Sequence, residues 1–422
     1  MMYVTRKLEK KINKFLKVPE ILAVIGPRQC GKTTLVKKFY NDLKPHSIYL
    51  DFEDRQVLEI FETDIKTFEE LYIKPYKYIF IDEFQYAKEG GKNLKYLYDF
   101  NPGKKIIITG SSTIDISVKA IKFLTGRVFI LNLFQFNFEE FLSYRDKDLY
   151  NLLKKFKDEL KIEKEKILLP EMSSSVLDIF YKLYEEFGLY GGYPRVVTTE
   201  SKTEKIEVLK NIYNIFFLRE VKEILNLADD YKLVKLLKVL AIQAGSLISY
   251  DDISSISGFN YIQLKRNINL LEKTFIIKQI QPYFTNKSVE IVKNPKIYFI
   301  DCGLRNVILQ NFNKINSRTD QGATNENIVF SELHKEDLQI NFWRTKSQAE
   351  VDFIIEKTGK IIPIEIKSNL KKFVAGKPMY SFMNKYNVKF GLILSDKLIG
   401  KKTSKDKNII FLPSWFSFLE LI

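Results

Sequence analysis

The sequence predicts an α/β protein: a parallel sheet at the N-terminal end, helical segments, and a second α/β module at the C-terminal end. Three observations predict it. Apolar runs at 21–25, 47–52, 78–81, 105–112 and 127–134 are separated by stretches long enough for helical crossovers. The stretch ILAVIGPRQCGKTT at 21–34 sets a glycine-rich turn between an apolar strand and a helix. EVDFIIEKTGKIIPIEIK at 350–367 alternates apolar and polar residues with period two, as a hairpin does.

At 422 residues the chain is long enough for two or three domains, and with 45% hydrophobic residues burial is not limiting. No apolar run approaches the roughly 20 residues that cross a bilayer, and MMYVTRKLEKK lacks the apolar core of a secretory signal. A cytoplasmic protein without membrane partners is expected. Cys30 and Cys302 stand too far apart in the chain for a disulfide framework or a cysteine-based zinc site, and His46 and His334 lie in no ligand-spaced cluster. Carboxylates, lysines and hydroxyls are therefore the available chemistry. The net charge of +15 makes nucleic acid or an anionic membrane surface a plausible partner without specifying either; nucleic acid, with DNA favoured, is the expected one. A homo-oligomer is compatible with the sequence.

The first strand–turn–helix reads Gly26-x4-Gly31-Lys32-Thr33, a P-loop in its required context. Gly26, Pro27, Arg28, Gln29, Cys30, Gly31, Lys32, Thr33 and Thr34 are the predicted phosphate cradle. Its glycines let backbone N–H groups wrap the phosphates, Lys32 reaches the outer ones, and Thr33 offers a hydroxyl to magnesium. ATP and magnesium are the expected cofactors.

KYIFIDEFQ at 77–85 is a buried strand that delivers Asp82 and Glu83 to its C-terminal end, where ligands bind in open α/β sheets. Asp82 suits the magnesium role, and Glu83 is placed to orient and deprotonate an attacking water. In KIIITGSS the run ends in Thr109, Ser111 and Ser112, either sensors of the terminal phosphate or caps of the next helix. Arg127, in LTGRVF, is a candidate for charge at a neighbouring site or an ordinary surface arginine.

After Phe141 the text is helical and charged, with MSSS at 172–175 as the expected joint and GLYGGYPR at 188–195 as a helix break. Farther on, SLISYDDISSISG predicts a short helix capped by Ser249. YIQLKRNINLLEKTF predicts a second helix with Leu264, Ile268, Leu271 and Phe275 on one stripe. Its polar face carries Gln263, Lys265, Arg266 and Asn267. A hairpin turning at Asn286-Lys287 follows. The order resembles a winged helix, a module that contacts DNA in some proteins and serves packing in others.

GPRQCGKTTL, YIFIDEFQ, TGSS, GRVFILNLFQFNFEEFL and GLYGGYPRVV, in this order, resemble an archaeal and bacterial family of AAA-type P-loop ATPases. Its C-terminal region has long been catalogued as a domain of unknown function. The resemblance covers most of the chain. It implies that the P-loop strand is flanked by the strand bearing Ser111, that Glu83 is the catalytic glutamate, and that the C-terminal fold is nuclease-like. The expected domains are 1–142 (P-loop ATPase), 143–235 (helical connector), 236–300 (winged-helix-like) and 301–422 (α/β, restriction-endonuclease-like).

In that last domain, a symmetric turn at Lys357-Thr358-Gly359-Lys360 sets Asp352 opposite Glu365 and Glu350 opposite Lys367. Opposed carboxylates repel, so the pair needs a metal ion, a shared proton or a neighbouring cation. With Glu326 on the preceding helix, the set resembles the PD-(D/E)XK nuclease superfamily. In that reading Glu326, Asp352 and Glu365 hold magnesium, and Lys367 steadies the scissile phosphate or the attacking water. The expected function is an ATPase acting on or with nucleic acid, with a metal-dependent nuclease module. The rival is an ATP-regulated interaction protein with a C-terminal domain that cleaves nothing.

Overall fold

The computed structural model describes residues 3–88, 90–110, 123–162, 167–215, 230–285, 293–357 and 359–416. The chain divides into two compact units: Met1–Phe136 with Asn269–Ile276, and Asn137–Ile268 with Ile277–Ile422. Among the described residues no helix is long and apolar enough to cross a membrane.

The first unit is built on β1 (Ile21–Ile25), β2 (Ser47–Asp51), β3 (Tyr78–Asp82), β4 (Lys105–Gly110) and β5 (Val128–Asn132). Among the described residues they form one parallel sheet in the order β2-β3-β4-β1-β5. β4 lies beside β1, with Ala23 paired to Ile108 and Ile25 to Gly110, so the P-loop strand is flanked by the strand that leads to Ser111. The central strands β1 and β4 are buried along their whole length, which is why they read as unbroken apolar runs. β5 is an edge strand instead, and leaves Phe129 and Ile130 of its apolar run exposed. Leu22, Val24, Leu35, Val36, Phe39, Phe80 and Ile107 share one core between the sheet and the Lys32–Asp42 helix.

The second unit opens with the Phe138–Arg145 helix, started by a capping box between Asn137 and Glu140. Ser173 caps the Ser174–Tyr190 helix, so MSSS marks a helix start rather than a joint. That helix ends at Gly191, whose φ of +74° and whose closeness to the Asp301 carboxylate exclude a Cβ. Asp301 Oδ2 accepts the N–H of Gly192 at 2.8 Å, giving GLYGGYPR a structural role. Helices follow at Tyr231–Ile242, Tyr250–Ser257 and Tyr261–Lys273, the last belonging to the first unit from Asn269 on; Ser249 caps the second, its Oγ accepting the Asp252 N–H. Leu264, Ile268, Leu271 and Phe275 are all buried, as the stripe predicted.

Two short strands, β6 (Lys161–Ile162) and β7 (Ile167–Leu168), pair with each other. β8 (Ile277–Ile280) pairs antiparallel with β9 (Lys296–Phe299), Ile277 facing Phe299. The sequence did not single out β9. The expected turn at Asn286-Lys287 lies outside the described residues.

The C-terminal sheet is mixed, in the order β10-β11-β12-β13-β15-β14: β10 (Gln339–Arg344), β11 (Glu350–Lys357), β12 (Lys360–Lys367), β13 (Phe390–Ser395), β14 (Gly400–Ser404) and β15 (Lys407–Pro413). The expected hairpin register holds from Lys357 facing Lys360 to Phe353 facing Ile364, while the expected Asp352–Glu365 and Glu350–Lys367 pairs lie beyond the end of that ladder. The hairpin's half-buried character does not hold. Phe353 packs near Tyr298 and Phe330 of the Gln321–His334 helix, whereas Ile354 joins Met379, Phe382 and Met383 of the Lys377–Lys385 helix. Helices thus cover both faces. The β10–β11 register shifts between Asn341 and Trp343, and the β11–β12 ladder stops at Phe353. There Asp352 Oδ2 accepts the Ile366 N–H at 2.7 Å, its side chain taking a bond that a strand carbonyl would otherwise make.

Candidate functional site

In the first unit the P-loop follows directly from β1. Gly31 sits at φ +98° and Gln29 at +58°, the left-handed conformations that fold the loop back on itself. A Cβ on Gly26 would stand 1.9 Å from the Leu133 carbonyl oxygen, so the loop rests on backbone just beyond β5. The same segment is clamped by a residue the sequence reading missed. Arg6 donates to Cys30 O at 2.9 Å and to Phe134 O at 2.7 Å, and its guanidinium lies 4.7 Å from the Phe136 ring centroid. Cys30 Sγ donates to Leu133 O at 3.2 Å. Cys30 is therefore a buried brace as well as a contributor of backbone to the loop.

Lys32 Nζ donates to the carbonyls of Gly26 (3.0 Å) and Pro27 (2.8 Å), a buried ammonium held over the loop. The Lys32–Asp42 helix begins with no side-chain cap and no acid in its first turn, so its leading N–H groups are not taken by side chains of its own N-terminus. These donors suit phosphates. Thr33 is partly exposed on that turn and Thr34 is exposed.

β3 carries Asp82 to the same end of the sheet. Thr109 Oγ1 donates to Asp82 Oδ1, and Tyr49 OH donates to Asp82 Oδ2 at 2.6 Å. Burial, and then the bond to Asp82, push the Tyr49 phenol well above its ordinary value, so it remains a donor. Glu83 follows in the left-handed region at φ +53°; its N–H lies 3.2 Å from both Asp82 Oδ1 and Thr109 Oγ1. The Gln85 side-chain amide donates to the Glu83 carboxylate. Tyr49 and Gln85 carry no motif of their own, which is why the sequence did not single them out. The donor set of Thr33 and Asp82 fits a magnesium ion, and Lys32 with the loop N–H groups fits a nucleotide's phosphates. Ser111 lies outside the described residues.

Arg127 is not brought to this site. Its carbonyl accepts from the N–H of Ile21 at 2.8 Å, at the start of β1, roughly 15 Å of strand away from the P-loop. Its guanidinium pairs with Asp99 at 2.8 Å, a bond that raises its pKa.

Residues 18–142 match the model of an AAA domain. Over that stretch this chain is similar to an AAA domain, in keeping with its P-loop and parallel sheet. C-terminal to the AAA domain, residues 181–315 and 321–415 match two domains of unknown function, DUF8612 and DUF4143. An uncharacterised protein of Haemophilus influenzae is 24% identical over 382 residues, covering 86% of this chain and 85% of its own. One of Methanocaldococcus jannaschii is 27% identical over 370 residues, covering 83% of this chain and 76% of its own. Among solved structures, the Aeropyrum pernix ORC1 protein in complex with DNA has a TM-score of 0.31 at 12% identity, covering 73% of this chain and 93% of that one. The Thermotoga maritima RuvB Holliday junction branch migration motor has 0.32 at 16%, covering 68% and 93%.

Beyond the AAA domain, the second unit holds the C-terminal acids in an arrangement the sequence did not anticipate. Lys296 of β9 is 1% exposed and lies 3.1 Å from Glu326 Oε1 and 2.5 Å from Glu350 Oε1. Tyr298 OH also donates to Glu326 Oε1, and Arg344 lies 3.2 Å from Glu350 Oε2. Burial pulls the Lys296 ammonium down, but Glu326, Glu350 and Asp352 outweigh it and leave its pKa above the ordinary lysine value. Burial first, and the Glu326 charge second, push the Asp352 carboxyl up to about 8. Lys367 pairs with Glu365 Oε1 at 3.1 Å, while Glu365 Oε2 is buried with no hydrogen-bond partner among the described residues.

Each acid of the expected metal set has a protein partner in this arrangement. Glu326 is engaged by Lys296 and Tyr298, Asp352 turns to the Ile366 N–H, and Glu365 keeps to Lys367. Among the described residues no group of three or more His, Cys, Asp or Glu is arranged to hold a metal ion. The four side chains do gather in one region, as the spacing implied, but the cation among them is a lysine.

Proposed function

We propose that the chain binds and hydrolyses ATP in its N-terminal domain and works on or with nucleic acid. The observation that carries the first half is the Asp82–Thr109–Glu83 arrangement beside the Lys32 loop. Lys32 and the first-turn N–H groups bind and orient the phosphates, and Thr33 with Asp82 hold magnesium, which neutralises phosphate charge when bound. Glu83, fixed by its own N–H bonds and by Gln85, takes the proton of the attacking water.

The second half is supported by the start of the Tyr261–Lys273 helix. Tyr261, Ile262, Lys265 and Arg266 are exposed there, with Ile262 at 79%, and Lys265 Nζ lies over the rings of Tyr261 (4.6 Å) and Tyr250 (5.3 Å). Cations interleaved with aromatic faces suit phosphates and bases, and the helix order resembles that of a winged helix. Metal-dependent cleavage is not part of this proposal, because Lys296 pairs with Glu326, one of the three acids that cleavage would need. The deciding experiment is ATP hydrolysis by the full chain with and without duplex DNA, single-stranded DNA and RNA. Stimulation by any of them supports the proposal. Hydrolysis indifferent to all three, with no binding to any, would leave an ATP-regulated protein-interaction module.

A further inference from the structure

We infer that Lys296 is the built-in counter-cation of the C-terminal acidic cluster, seated between Glu326 and Glu350 where a divalent ion would otherwise bind. The cluster brings together Glu326, Glu350, Asp352 and Glu365 from a helix and two strands. Carboxylates gathered in one region and largely withdrawn from water cannot all remain charged without a positive partner. Lys296 supplies one from a third element, β9, with its ammonium nitrogen in contact with one oxygen of each of two acids. Arg344 and Lys367 neutralise the outer oxygens of Glu350 and Glu365.

The stem of Lys296 is enclosed, with Nζ 5.5 Å from the Phe342 ring centroid, so the ammonium cannot swing into water without opening the packing around it. Tyr298, two residues along the same strand, fixes Glu326 toward the ammonium. A metal shell built on these acids needs at least two of them together; Lys296 takes one oxygen each of Glu326 and Glu350, Arg344 the other oxygen of Glu350, and Lys367 one oxygen of Glu365. The cluster is thus neutralised from within. It ties β9 to the C-terminal sheet by ion pairing and has no requirement for magnesium.

The test uses the full chain, free of nucleotide, titrated with manganese alone and read by the paramagnetic signal of the free ion and by thermal melting. In the wild type, Glu326→Gln with Asp352→Asn is expected to leave manganese stoichiometry unchanged, because the cluster holds none. Lys296→Met is expected to lower the melting temperature, to gain about one manganese per chain, and to recover part of its stability as manganese is added. Adding Glu326→Gln and Glu350→Gln to Lys296→Met should remove that extra ion. If the wild type loses a bound manganese in Glu326→Gln with Asp352→Asn, a metal already occupies the cluster and the inference is overturned. A folded Lys296→Met that gains no ion overturns it too. Should Lys296→Met not fold, the wild-type comparison decides alone.

Discussion

Thr109 Oγ1 donates to Asp82 Oδ1 across the β3–β4 pair and, at 3.2 Å, lies within reach of the Glu83 N–H. One buried hydroxyl therefore sets the orientation of both acids. Thr109→Val keeps the shape and removes the bond. It should leave ATP affinity nearly unchanged and lower kcat by roughly 10–100-fold, corresponding to about 1–3 kcal/mol of lost positioning. Steady-state hydrolysis with a separate nucleotide-binding titration checks it; an unchanged kcat would remove Thr109 from the site.

Lys32 and Glu83 should fail differently. Lys32→Ala deletes an ammonium that faces the loop and should weaken ATP binding. Glu83→Gln keeps the shape and the Gln85 contact, and should bind ATP while hydrolysing it about 10²–10⁴-fold more slowly. Single-turnover hydrolysis beside equilibrium binding separates the two, and normal turnover by Glu83→Gln would refute the assigned base.

Lys265→Gln with Arg266→Gln removes two exposed cations near Tyr261. If they touch phosphates, DNA affinity should fall and the slope of log K against log salt should become shallower by about two. Fluorescence anisotropy at several salt concentrations measures it. An unchanged slope in a folded variant assigns this face to protein packing.

Asp320 lies between two buried guanidinium groups, 2.9 Å from Arg305 and 2.7 Å from Arg318. Burial opposes its charge, but the bonds and charges of Arg318 and Arg305 win and hold its pKa well below the usual carboxylate range. A depressed folded pKa means that the stabilisation is full above the unfolded value of about 3.9 and is lost as pH falls below it. Calorimetric melts should therefore show Asp320→Asn less stable than the wild type at neutral pH, with the gap narrowing below about pH 4. A gap that stays constant into acid would show that the Asp320 charge is not what holds the two arginines.

The glycine-rich loop after β1 and the acids at the end of β3 were legible in the sequence because their parts are local. ILAVIGPRQCGKTT and YIFIDE each place an apolar strand directly before the residues that act, so the strand ends deliver Lys32, Asp82 and Glu83 without reference to the rest of the chain. Ser249 as a cap and Leu264, Ile268, Leu271 and Phe275 as a buried stripe were legible for the same reason. Arg6, Tyr49 and Gln85 carried no signal, since each acts through a bond whose partner no pattern announces. Arg6 reaches across the chain to Phe134 O, and Tyr49 across the sheet to Asp82.

The hairpin shows where local reading stops. Period two and the Gly359 turn determined the register of β11 on β12 as far as Phe353 and Ile364, just short of Asp352 and Glu365. Which cation answers the charge of the acids there depended on β9, whose short apolar run KIYF looks like any buried strand. Lys296 meets Glu326 and Glu350 only because β9, the Gln321–His334 helix and β11 pack together, and only burial makes that ammonium more than a surface charge. Backbone pattern is written in neighbouring residues and can be read from them. Compensation of buried charge is settled by whichever groups the packed elements bring within a few ångströms, and that is decided by the tertiary structure.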